Sequence, residues 1–175
     1  VDHVVLAAPG LLLRPWQAAD APDVLAALRD PAVATWNPQG EMDEARAADW
    51  VRRRADWSGG DALSLAVTDP GDGGLLGAVS LHGIGGGNAS IGYWTVPAAR
   101  GRGVATGAVR RLTTWAFAAL GLHRIELCHA VPNVVSCRVA LRAGYLAEGT
   151  LRESYRYGDG RRHDEHLHAR LATDG

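Results

Sequence analysis

Residues 100–106, Arg-Gly-Arg-Gly-Val-Ala-Thr, stand between a strand-like run and a long helical one. Residues 89–96 before them are rich in β-branched and aromatic types, and Pro97 stops the run. After them, Val104, Ala108, Leu112, Trp115 and Ala119 fall at helical spacing. A glycine-rich turn opening a helix aims several unpaired N–H groups, and the positive end of the helix dipole, at one point. Such a point suits a phosphate or pyrophosphate. Gly101 and Gly103 let a ligand approach the backbone with no Cβ in the way. Neither G-x-x-x-x-G-K-[ST] nor G-x-G-x-x-G fits, because no lysine follows and Thr106 stands where the second pattern wants glycine. A phosphorylated cofactor is expected at this turn; an ordinary strand-to-helix turn on a basic surface is the alternative.

Other residues able to do chemistry are scattered. Asn133 follows Pro132 at a helix start, where it serves either as a cap or as a ligand contact. Arg138 and Arg142 lie one helical turn apart, solvated or facing a phosphate. His82 ends a strand and titrates near neutrality, so it is a candidate base or a turn histidine. Glu153 and Tyr155 alternate onto one strand face with Leu151. In His163-Asp164-Glu165-His166-Leu167-His168, strand alternation puts Asp164, His166 and His168 on one face, a possible ligand trio.

The elements that must position these groups follow in order. Residues 11–15 read as a first strand closed by proline. Asp20 caps a short helix with Pro22 in its first turn and Val24, Leu25 and Leu28 facing inward. A loop through Pro31, Asn37, Pro38 and Gly40 leads to a second helix over 43–57, stopped by Gly59-Gly60. Strands at 63–67, 75–81 and 89–96 follow in antiparallel sequence across two glycine-rich turns. Then come the glycine-headed helix, a strand at 125–130, a helix at 134–143, and strands at 145–157 and 163–171 joined by Gly158-Asp159-Gly160. This is a mixed α/β sheet, and nothing marks a second domain within residues 1–175.

The 175 residues suffice for one domain with a hydrophobic core. A formal net charge of −1 creates no field favouring nucleic acid or membrane. Cys128 and Cys137 form no disulfide framework, and Cys128 is expected to be a small buried residue. No apolar run reaches membrane-spanning length, the opening residues lack a signal-peptide pattern, and the cytoplasm is the expected compartment.

Together the motifs resemble the RimJ/RimL branch of the GNAT superfamily of N-acetyltransferases. The resemblance is carried by LLLRPW, by IGYWTVPAARGRGVATGAVRRLTTWAFAALGL, and by NVVSCRVALRAGYLAEGTLRESYRYGDGRRHDEH, and it covers essentially the whole chain. Residues 100–105 match its coenzyme A signature, R-x-x-G-x-[GA]. The resemblance implies a mostly antiparallel sheet of about seven strands, splayed between the fourth and fifth and flanked by four helices. In that gap the backbone of Trp94, Thr95 and Val96 is implied to hold pantetheine. Arg100, Gly101, Arg102, Gly103, Val104, Ala105 and Thr106 are implied to cradle the pyrophosphate, with Asn133, Ser136 and Arg138 also at the cofactor.

Acetyl-CoA is thus the implied cosubstrate, with no metal. The implied reaction is direct transfer to a primary amine, either a protein N-terminus or a small amine. Many relatives carry a catalytic tyrosine where this chain has Ala140, and Ser136 is the branch's proposed substitute. Ser90 replaces the glutamate of a common AEIGYW run. Candidate catalytic residues are therefore Ser136, His82 and Glu153. Trp36, Asn37, His82 and Tyr155 are candidates for the acceptor groove, with Trp57 as a second aromatic flank. Another acyl-CoA such as succinyl-CoA, or a non-catalytic acyl-CoA-binding regulator, are the competing functions. Dimers occur among such proteins, and the final strands offer a surface for one.

Overall fold

A computed structural model describes residues 2–174. The chain opens with a hairpin, β1 (Leu6–Ala8) and β2 (Leu11–Pro15), turning at Pro9-Gly10 where Gly10 adopts φ 69°. Three helices follow: α1 (Ala21–Leu28), α2 (Pro31–Trp36) and α3 (Glu44–Ala55). Strands β3 (Ala62–Thr68), β4 (Leu75–Gly85) and β5 (Asn88–Thr95) form an antiparallel meander. After α4 (Val104–Leu120) come β6 (Arg124–Ala130), α5 (Val134–Arg142), β7 (Leu146–Arg156) and β8 (Arg162–Leu171). All eight strands share one sheet in the order β1-β2-β3-β4-β5-β6-β8-β7, and only β5 and β6 run parallel.

The described residues thus hold one more strand and one more helix than expected. The short β1 precedes the first expected strand. The expected loop from Pro31 begins with α2, because the Asp30 side chain accepts from the Ala32 and Val33 amides and Pro31 pre-sets the first turn. Two further expectations fail. Glu153 adopts φ 45° where the β7–β8 register slips between Leu151 and Tyr155, so the alternation linking Leu151, Glu153 and Tyr155 is broken. Cys128 is exposed, because no helix covers its face of β6 beside the gap.

Alternation along the strands sorts the core onto two faces. Leu63, Leu65, Val67, Val79, Leu81 and Ile91 pack against Val104, Ala108, Leu112 and Ala116 of α4. Gly107 lies on this contact: a Cβ there would stand 2.8 Å from Leu11 Cδ1, so the missing side chain serves helix–sheet packing. The opposite face carries Ala66, Ala78 and Trp94 under Trp16, Val24, Val33 and Trp50. Trp57 lies in the first cluster and makes an edge-on contact with His3, so it does not flank a groove.

The sheet is split where the chemistry is expected. β5 and β6 pair only through Asn88–Arg124, Ala89–Ile125 and Ser90–Glu126, and separate beyond. The open wedge lies between residues 91–95 of β5 and 127–130 of β6.

Candidate active site

At the wide end of the wedge stands the head of α4. Gly101 and Gly103 adopt φ 75° and 78°, and a Cβ at either would meet nothing within 4 Å. The first helical bond is Gly107 N–H to Gly103 O, 2.9 Å. Among the described residues, no backbone N–H from Gly101 to Thr106 donates to a protein acceptor. Six donors at the positive end of the helix dipole are therefore without protein partners, and the two glycines among them are sterically open. Arg102 is exposed beside them. Arg100 instead turns back to Asp30, forming an ion pair that ties the loop to α2. Desolvation would raise the Asp30 carboxyl, but Arg100 and the α2 amides hold it below its ordinary value.

Within the wedge, Val96 N–H donates to Leu76 O at 3.0 Å. Antiparallel alternation then turns the Thr95 and Tyr93 amides toward β6, and the Trp94 amide toward β4. Asn133 caps α5, its Oδ1 accepting from Ser136 N–H at 3.2 Å. The buried Ser136 hydroxyl lies 2.5 Å from Tyr93 Oη. Burial pushes the Tyr93 phenol up to about 12, only partly offset by the Ser136 contact, so it stays protonated at neutral pH. Arg138 is exposed on α5, away from this pair.

On the opposite face, the wedge meets a cavity of about 290 Å³. Trp36, Asn37, His82 and Tyr155 all line it. Alternation brings Ala78, Ser80 and His82 of β4 to its floor beside Gly92 and Trp94 of β5. Asn37 follows α2 and donates through Nδ2 to Tyr93 O at 3.0 Å, fixing the cavity wall to the wedge. Trp36 meets Tyr157 edge-on at 5.6 Å. Desolvation lowers the His82 pKa, and the nearby Arg54 lowers it further, so the imidazole is neutral with a lone pair available.

Glu153 is not part of this cavity. It is exposed, with its amide donating to Asp164 Oδ1 at 2.8 Å and its carbonyl accepting from Arg162. Asp164 accepts that bond and is not grouped with His166 and His168, so the possible Asp–His–His trio does not assemble among the described residues.

Four residues of this region escaped the reading of the sequence. Tyr93 was legible only as a strand aromatic, although its place opposite the Ser136 helix follows from the splay. Arg54 shares a helix face with Trp50 and stacks over its ring at 5.1 Å; among the described residues it has no carboxylate partner. Glu165 is buried and accepts from Tyr157 Oη and Ser154 Oγ, both at 2.7 Å, which orients Tyr157 in the cavity. Tyr157 and Glu165 share a face of the β7–β8 hairpin at a separation of 8 residues, so no local pattern marks the pair.

A mixed sheet split beside a glycine-headed helix defines the class: this is the GNAT fold. It superposes on the GNAT-family acetyltransferase of Bacillus anthracis with a TM-score of 0.85 at 25% identity, over 96% of this chain and 98% of that one. The chain belongs to the acetyltransferase (GNAT) domain family, which matches residues 10–146. It is similar to the putative ribosomal N-acetyltransferase YdaF of Bacillus subtilis (strain 168), 42% identical over 118 residues, covering 66% of this chain and 61% of that protein. It thus spans about three-fifths of that relative's length. It also resembles Mycobacterium smegmatis RimJ in complex with CoA-disulfide, with a TM-score of 0.81 and 27% identity over 97% of this chain and 87% of that one.

Proposed function

We propose that this chain transfers an acetyl group from acetyl-CoA directly to a primary amine, the α-amine of a protein N-terminus being the acceptor. One observation carries the reading: six unpartnered N–H groups at the head of α4 stand at the end of a split between β5 and β6, and an aromatic cavity is lined by the same β5. The residues fit the cosubstrate. Left-handed glycines with no neighbour for a Cβ admit a diphosphate to the amides. The β6-facing amides of β5, those of Tyr93 and Thr95 among them, are released by the splay and suit the amides of a pantetheine arm. The names of the relatives support the same reading, one a putative ribosomal N-acetyltransferase and another a RimJ crystallised with a CoA disulfide.

Acetyl-CoA supplies the acyl group as an activated thioester. The Thr95 or Tyr93 amide donates to the acyl oxygen as negative charge develops there. Ser136, backed by the protonated Tyr93 phenol, hydrogen-bonds the departing sulfur and provides the proton it requires. In the cavity, neutral His82 accepts the proton lost by the amine. Trp36 and Tyr155 hold the acceptor chain, so much of the rate comes from positioning. Neither cysteine lines this cavity, in keeping with transfer that forms no acyl-enzyme.

A second reading rests on Arg54. A half-buried cation with no carboxylate partner in the cavity suits a succinyl carboxylate as well as a peptide carbonyl. Thiol release from acetyl- and succinyl-CoA, measured over peptides, polyamines and aminoglycosides, separates the outcomes. Peptide-dependent release from acetyl-CoA is expected, and the product mass places the acetyl group on the N-terminus. Tight binding with no amine-dependent release overturns catalysis and leaves an acyl-CoA-binding regulator. Arg102→Glu is expected to weaken coenzyme A binding in calorimetry through charge repulsion beside the donors. Unchanged affinity would remove this loop as the phosphate site.

A further inference from the structure

On the face of the sheet away from the acceptor cavity, four side chains with metal-binding atoms meet beneath α5. His129 of β6 lies opposite His166 of β8 in the antiparallel register, so both side chains leave the same face. His168, two residues on, shares that face. Cys137 reaches them from α5, which covers them. One potential ligand atom from each of the four lies within 4.8 Å of all the others.

We infer that His129, Cys137, His166 and His168 form a tetrahedral transition-metal site that takes Zn²⁺. The donor set is three imidazoles and a thiolate, with no hard oxygen ligand, which selects zinc over magnesium or calcium. His129 Nε2 and His168 Nε2 are 3.2 Å apart. A tetrahedron with Zn–N bonds of about 2.0–2.1 Å has an edge of about 3.3 Å, so this pair needs almost no movement. The remaining atoms need shifts that side-chain rotation of the half-buried His166 and Cys137 supplies.

The surroundings are those of a ligand set. His129 Nδ1 lies 2.9 Å from Ala130 O, which places the proton there and leaves the Nε2 lone pair facing the cluster. His168 is 1% exposed, and its Nδ1 makes no hydrogen bond of good geometry although the Tyr145 carbonyl lies near it. A pure histidine pair leaves this buried nitrogen unexplained. With a metal on Nε2, Nδ1 carries the proton and turns toward Tyr145, the usual outer partner of a ligating histidine. Access exists as well, because Cys137, His166 and His168 border an open cavity of about 280 Å³. All four positions are protein ligands, which marks a structural site rather than a catalytic one. Its effect is to staple α5 to β6 and β8 one residue beyond Ser136.

The test needs no acyl-CoA and therefore succeeds or fails apart from the acetyltransferase reading. The chain, prepared without a polyhistidine tag, is analysed by elemental mass spectrometry and then stripped with a chelator and titrated with Co²⁺. About one zinc per chain is expected. Cobalt should give the intense visible bands of a tetrahedral ion and a thiolate-to-cobalt charge-transfer band. Cys137→Ser should abolish the charge-transfer band, and His166→Gln, at a less buried position, should weaken Zn²⁺ binding more than about 100-fold. Circular dichroism checks that both variants fold. Absence of tetrahedral cobalt bands in the parent chain overturns the site. So does unchanged metal binding in both folded variants.

Discussion

Replacing Gly103 by alanine separates the cost of backbone strain from the loss of a ligand cradle. Gly103 precedes α4 with φ 78° and ψ 6°, a left-handed conformation. An L-residue pays about 1–2 kcal/mol for it. No atom lies within 4 Å of the added Cβ, so no steric term is added. For a chain of this length each kcal/mol lowers the thermal midpoint by about 2–4 °C, giving a fall of about 2–8 °C. The same Cβ is added to the turn that carries the six free amides. Displacing a diphosphate from even one charge-assisted hydrogen bond costs about 1.5–3 kcal/mol, or on the order of 10- to 100-fold in affinity. Calorimetry with coenzyme A and a thermal melt of the unliganded protein read the two effects independently. A normal coenzyme A affinity together with the expected drop in melting temperature would refute the placement of the diphosphate at these amides. A melting temperature lowered far beyond 8 °C would refute the view that the turn is sterically open.

Three further outcomes follow from the same geometry. The pH profile of kcat/KM should show an acidic limb below about 6.5, because desolvation first and Arg54 second depress the His82 pKa. Arg54→Gln should move that limb upward, and a limb persisting unchanged in His82→Gln would remove His82 as its source. Tyr93→Phe should lower kcat about 10- to 100-fold while KM for acetyl-CoA stays within about twofold, as expected for a donor acting at the departing sulfur; an unchanged kcat would exclude the phenol. Desolvation would raise the Asp20 carboxyl, but the paired guanidinium of Arg14 and the Gln17 amide hold it below its ordinary value. The stability it contributes is therefore full above about pH 4 and declines as pH falls through its depressed folded pKa. Acid unfolding curves of the parent and Asp20→Asn should converge at low pH, and curves that stay parallel would refute the assignment.

Features encoded within a few residues were legible; those made by distant register were not. The glycine turn and the periodicity of α4 are local, so the glycine-headed start of that helix was legible. Antiparallel order among β3, β4 and β5 followed from short turn-rich connections. The three-residue β1 and six-residue α2 fell below the length at which periodicity speaks, although Pro9-Gly10 and Asp30-Pro31 were signals available for both. Glu153 was misplaced because strand alternation was assumed through a register slip that no local pattern announces. Gly158 shows the same limit. It read as a turn residue, yet a Cβ there would stand 1.9 Å from Ala34 O, so glycine is required by the approach of α2.

That approach changes how the two halves of the site relate. α2 is held at three points: Gly158 N–H donates to Thr35 O at 2.9 Å, Asn37 donates to Tyr93 O, and Asp30 pairs with Arg100. The first anchors it to the hairpin carrying Tyr155 and Tyr157, the second to the wedge, the third to the anion loop. A short helix of low intrinsic stability is thereby made rigid by its neighbours. The loop at the head of α4 is thereby joined through Arg100 and Asp30 to the helix bearing Trp36, one wall of the cavity. Arg100, implied by the resemblance to be a phosphate ligand, pairs with Asp30 here, so coupling through that pair is the prediction to set against direct attraction. Arg100→Lys preserves charge but not the geometry of that bridge, so it is the substitution that distinguishes coupling from simple attraction.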